Sequence, residues 1–197
     1  FDFIELLQTV TETPGFMART VVPANWTEVH DPNREVSDEL RAERLVQDPR
    51  YKQEPVRWRP SRDGKWLWKG DTSSDEITGH FWGFYWYYIL AADEEDKSRV
   101  VALAKRVMDY IIDAGYVLRD IDGTHTRWGV WSPEKLLGDP NWRAERGINA
   151  TELLGFLKVT YKLTGDETYQ QHYEELIKKH GYAELARRAK TYHPSER

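Results

Sequence analysis

The spacing of apolar positions changes several times along the chain, and each change marks an element. Phe1–Val10 (FDFIELLQTV) carries apolar residues at helical spacing and predicts a helix over residues 1–11, stopped at Thr13-Pro14-Gly15 because proline and glycine both oppose continuation. Residues 16–56 are irregular apart from a short helix expected near Ser37–Val46, where Ser37 precedes Asp38 and Glu39 as a helix start prefers. Residues 56–69 (VRWRPSRDGKWLWK) read as a hairpin turning at Asp63-Gly64, with Trp66 and Trp68 alternating about Leu67. Residues 75–92 predict a helix that is apolar nearly all round, through Ile77, Phe81, Trp82, Phe84, Tyr85, Tyr88, Ile89 and Leu90, which is the pattern of a helix buried on most sides. The helix expected over 95–114 differs. Val100, Val101, Ala104, Val107, Met108, Ile111 and Ile112 form a single stripe, so this is an outer helix with one buried side, ended by Gly115. A second hairpin is expected over 116–132 around Asp122-Gly123. After a loop to Arg146 come helices over 148–163 and 167–180, and a short last one from Ala183 to Lys190.

These elements recur in order. A hairpin with an Asp-Gly turn and two following tryptophans leads to a buried helix, and a tight break leads to an outer helix ending in Gly-Tyr. The first copy spans 56–116 and ends at Gly115-Tyr116; the second spans 116–182 and ends at Gly181-Tyr182. Units that bury one helix and half-expose the next stack into solenoids or closed rings. The expected class is therefore all-α, α/α helical hairpins with two short β-hairpins in the loops, forming a single domain over 1–197. Because the chain starts at Phe1 with a helix already under way, it reads as a processed product or as a piece of something longer.

Composition narrows the function classes. With 33 acidic and 28 basic residues the net charge is −5, without the basic excess that nucleic-acid binders use against phosphates, so nucleic acid is not an expected partner. No apolar run approaches the roughly 20 residues of a membrane span, so no membrane insertion is expected. The absence of cysteine excludes disulfides, thiolate metal sites and a cysteine nucleophile. Nine tryptophans and eleven tyrosines are a heavy aromatic load. Trp26, Trp58, Trp66, Trp68, Trp128, Trp131 and Trp142 lie in segments dense in Pro, Gly, Asp and Arg, and loop aromatics with polar neighbours point to a ligand-facing surface.

The segment Phe156–Tyr169 (FLKVTYKLTGDETY) resembles the inner-to-outer helix turn of the six-hairpin glycosidase-like superfamily, the (α/α)6 toroids; Trp66–His80 (WLWKGDTSSDEITGH) and Thr126–Glu134 (TRWGVWSPE) resemble bacterial proteins associated with that fold. The turn has a local logic: Gly165 reverses the chain, Asp166 caps the next helix, and the two tyrosines pack across it. The resemblance covers about residues 56–182 and implies part of a larger α/α toroid. It further implies a carbohydrate-active protein: a polysaccharide hydrolase or lyase, or alternatively a non-catalytic carbohydrate-binding or structural helical-repeat domain. Poly- or oligosaccharide is the implied partner, and the periplasm or the cell exterior the implied location.

In such toroids the loops before the inner helices line the mouth, which singles out two loops here. The candidate catalytic residues are Asp71, Glu76, His80, Arg127 and Glu134, with Trp66, Trp68, Tyr87, His125, Trp128 and Trp131 as candidate substrate-binding residues. Glycoside hydrolysis needs two carboxyl groups across the bond, drawn from Asp71 or Glu76 and from Glu134 or Glu152. A lyase needs a base and a cation, available from His80, Tyr87, His125 and Arg127. Against this stands a structural reading in which Asp71 and Asp75 cap the helix, Glu76 closes a capping box with Thr72 or Ser73, and Arg127 clamps the loops by pairing with Asp71 or Glu76. Asp120-Ile121-Asp122-Gly123 begins like a calcium loop but lacks its later ligands and reads as a turn. Asn25 and Asn149 begin glycosylation sequons read as coincidental, with Asn149 a helix cap. No His/Glu cluster has metal-ligand spacing and no Gly-rich phosphate loop occurs, so neither metal nor cofactor is expected.

Overall fold

In the computed structural model, which describes residues 1–192, the chain runs α1 (Asp2–Thr9), β1 (Thr20–Pro23), α2 (Asp38–Gln47), β2 (Trp58–Pro60), β3 (Trp66–Lys69), α3 (Ser74–Leu90), α4 (Glu94–Asp113), β4 (Val117–Arg119) and β5 (His125–Val130). A single π-helical turn (Glu134–Gly138) and a 3-10 turn (Pro140–Trp142) lead to α5 (Arg146–Thr164), α6 (Glu167–His180), α7 (Tyr182–Arg187) and α8 (Ala189–Tyr192). The described residues are thus mostly helical with two small antiparallel sheets. One sheet has strand order β1-β3-β2, and the expected hairpin 56–69 supplies only two of its strands. Thr20 pairs with Lys69 and Val21 with Trp68, so the segment after α1, read as irregular, provides the third. The second sheet is the expected β4–β5 hairpin, with Val117 opposite Val130 and an irregularity before Arg119 pairs with His125.

The helix starts follow from capping. Ser73 donates its backbone N–H (2.7 Å) and its hydroxyl (2.6 Å) to the Glu76 carboxylate, which fastens the first turn of α3. Asp93 caps α4 by accepting from Asp96 N at 2.9 Å, and Asp166 caps α6 by accepting from Thr168 N at 2.9 Å. Gly165, at φ +70°, turns the chain between α5 and α6. Of the turn's tyrosines, Tyr161 reaches across to Glu167 (2.9 Å) while Tyr169 turns to Asp109 on α4 (2.6 Å). Asn149 does not cap α5. The helix begins three residues earlier, and Asn149 is buried, donating to the Val130 carbonyl at 2.7 Å.

The core lies between α4, α5 and the face of α3 that carries Ile77, Phe81 and Phe84. Of the α4 stripe, Val100, Ala104, Val107, Met108 and Ile111 are fully buried against α3 and α5, together with Leu103, while Val101 and Ile112 at its edges are half-buried. Helices α7 and α8 cover the far side of α5 so closely that a Cβ on Gly147 would lie 2.4 Å from the Ala189 Cα. Helix α3 departs from expectation. Only part of it is covered, and Trp82, Trp86, Ile89 and Leu90 are exposed. The helix is apolar all round, but α4 and α5 pack on only part of its circumference.

Candidate functional site

Strand β3 feeds α3 and strand β5 leads through the turns to α5, so both helices begin on the side where the sheets lie. Their first turns meet at a small recess of about 180 Å³ lined by Ser74, Asp75, Trp128, Glu145 and Asn149. One turn further along α5 stands Glu152. Its Oε2 accepts a 2.8 Å hydrogen bond from the indole Nε1 of Trp131, a ring that is completely buried. Burial raises the Glu152 carboxyl above the usual glutamate range, the Trp131 N–H opposes the rise, and the Asp75 carboxylate adds to it. From Glu152 an open groove of about 830 Å³ continues between α3 and α5, walled on one side by Thr78, Trp82, Tyr85 and Trp86. Glu152 therefore stands at the head of an aromatic groove, with the Asp75 carboxylate in the adjoining recess close enough to raise its carboxyl further.

Trp128 at the recess is held between two guanidinium groups, Arg50 at 4.7 Å and Arg127 at 4.8 Å from the ring centroid. Arg50 pairs with Glu145 at 2.9 Å, and Arg127 pairs with Asp48 at 2.5 Å. Burial alone would raise the Asp48 carboxyl, but hydrogen bonds from Arg127 and Arg50 outweigh it and hold it at about 2. Behind the recess lies a second acidic group. Glu54, Asp71 and Asp120 each bring a carboxylate oxygen within 4.8 Å of the others. That spacing would suit a cation, but the Lys52 ammonium already occupies the position, 2.9 Å from Glu54 and 2.6 Å from Asp120. Burial pushes the Glu54 carboxyl up to about 7 in spite of Lys52, with Asp120 adding to the rise.

The residues singled out from the sequence do not form one concave site. Glu76 closes the capping box and lies 3.4 Å from Arg19. Asp71, with the unusual φ of +50°, accepts the Arg127 backbone N–H at 2.9 Å and gives its own carbonyl to Arg19. This is the loop-clamp reading with a changed partner, since the Arg127 guanidinium takes Asp48 instead of Asp71 or Glu76. His80 stacks on Phe84 with its Nε2 unpaired, and burial, opposed by Glu76, pushes its imidazole down to about 4, so it is neutral at pH 7. Glu134 is exposed on the π-helical turn and has no ion pair among the described residues. Tyr87 hydrogen-bonds Asp96 and stacks on Phe1, and His125 bonds its neighbour's carbonyl, Thr126 O, at 2.7 Å.

The expectation that the loop tryptophans face a ligand is corrected by burial. Trp58, Trp68, Trp131 and Trp142 are buried, Trp66 and Trp128 are half-buried against the core, and Trp26 alone of the seven is exposed. Short loops and sheets of three or four residues have little else with which to fill space, and an indole can bury its rings while its N–H finds a partner. Asp75, Glu152, Arg127, Trp128 and Trp131 do gather at the two helix starts. Asp48, Arg50, Lys52 and Glu54 sit on an aperiodic segment that carries no signal of a site, and the all-round apolar pattern of α3 hides the exposure of Trp82 and Trp86. No family model matches this chain, and neither a curated protein nor a solved structure matches it.

Proposed function

We propose that the chain is a carbohydrate-active domain of the α/α toroid type, and that its site is the head of the α3/α5 groove. In this reading Glu152 donates a proton to the glycosidic oxygen, Asp75 is the facing carboxylate, and the exposed Trp82 covers the apolar face of a sugar ring, while Trp128, taken up by Arg50 and Arg127, shapes the recess. The observation that carries it is Glu152, a carboxyl raised by burial, fixed by a buried indole and set beside a second carboxylate where an open aromatic groove begins. The toroid assignment draws on the alternation of inner helices α3 and α5 with outer helices α4 and α6, and the periplasmic or extracellular location follows from a polysaccharide substrate.

The test is a glycan array followed by assay of the bound polysaccharides for new reducing ends and for unsaturated products. Glu152→Gln should lower turnover at least a hundredfold while glycan binding and melting temperature persist. Unsaturated product would place the chemistry with lyases instead of hydrolases. Wild-type binding with no turnover would favour the non-catalytic reading, and no binding to any glycan would end the proposal.

A further inference from the structure

Resting on that reading, we infer that the site takes an extended, single glycan chain laid lengthwise in the α3/α5 groove, with about one sugar unit per helical turn. Thr78, Trp82 and Trp86 follow one another at intervals of four residues on α3, so they share a face and each step advances about 6 Å. That advance is close to the length of one pyranose unit in an extended chain. Trp82 and Trp86 are 67% and 40% exposed, high values for tryptophan on a helix that also supplies core, and their ring centroids lie 5.6 Å apart. The ring planes cross at 64°. Successive sugars that turn relative to one another fit such platforms, whereas a flat crystalline sheet of parallel chains does not. The opposite wall makes room. Gly155 lines the groove on α5 with no heavy atom within 4 Å of where its Cβ would be, so it leaves space between the tryptophans and the second helix. Glu152 stands at one end of this track, near Thr78 and Ser74, so the chain would run from the reacting bond toward Trp86.

The experiment titrates the full chain with β-1,4-linked gluco-, xylo- and manno-oligosaccharides of increasing length. Compact α-1,4-linked gluco-oligosaccharides of the same lengths serve as comparators. Affinity for at least one β-linked series should rise about tenfold with each of the second and third units and then level off, as expected for one aromatic platform per unit. Trp86→Ala should cost about tenfold on the longer ligands, with a loss that grows with length. Gly155→Leu, which favours the helix but fills the groove, should cost at least as much. Equal affinity for two-unit and longer ligands, preference for the compact series, or undiminished binding by Trp86→Ala would overturn the inference while leaving a short carbohydrate site at the recess. A wild-type dimer in sedimentation that Trp86→Ala converts to monomer would also overturn it, because a second copy would then occupy the groove. Failure of every sugar, single units included, removes the carbohydrate reading itself.

Discussion

Two carboxyl groups near the recess, Asp48 and Glu54, sit in opposite electrostatic settings and respond to pH in opposite directions. Asp48 is held at about 2 against an ordinary 3.8, so the stability it lends is complete above 3.8 and is lost as the pH falls toward 2. Glu54 is raised to about 7 against an ordinary 4.5. Between those values the unfolded chain releases the Glu54 proton while the folded chain keeps it, so stability falls as pH rises through that window. Urea unfolding of Glu54→Gln between pH 4.5 and 7.5 should show a nearly flat midpoint where the wild type declines, and parallel curves would show that Glu54 is not the group responsible.

Among the elements, α4 was legible because a single apolar stripe at helical spacing admits one packing. Its central residue gives a sharp check: Ile111→Asp places a charge where exposure is nil and should destabilise by about 4 kcal/mol. A melting temperature within error of wild type would show that α4 does not pack as described. Helix α3 was legible as a helix but not as a surface. With apolar residues on every side it carries no periodic signal of which face is covered, so the exposure of Trp82 and Trp86 depends on which neighbours the chain supplies. Strand β1 was missed for a related reason. Four residues (TVVP) have no pattern of their own and become a strand only by pairing with β3. The site was half legible, since Glu152, Arg127 and Trp128 stand on recognisable elements, whereas Lys52 gains meaning from Asp120, 68 residues away, and Glu54 from the cluster that Asp71 and Asp120 complete.

Across the whole molecule, the irregular segment after α2 acts as a strap. Asp48 holds Arg127 on β5, Arg50 holds Glu145 at the start of α5, and Lys52 holds Asp120 in the turn of the second hairpin. Lys52 is the critical member, because its ammonium lies 2.9 Å from Glu54 and 2.6 Å from Asp120 beside the Asp71 carboxylate. Lys52→Met should cost about 3–5 kcal/mol at pH 8, leaving buried charge without its partner, and the deficit should shrink at pH 5 as the carboxyls take up protons. Equal deficits at both values in denaturant titrations would show that repulsion is not the cause.

The uneven burial of the nine tryptophans also has an optical consequence. The indoles most open to water are Trp26, Trp82 and Trp86, whereas Trp131 is wholly buried; the open rings should emit at the red end of the band and be the ones that acrylamide reaches, and the buried rings should emit further to the blue. Two of the three red emitters flank the groove. Whatever settles between α3 and α5 would displace water from those two rings first, so the spectrum would shift to shorter wavelength and lose quencher sensitivity together. The protein thus carries its own dye at the place where a ligand would lie, and occupancy can be followed without a label.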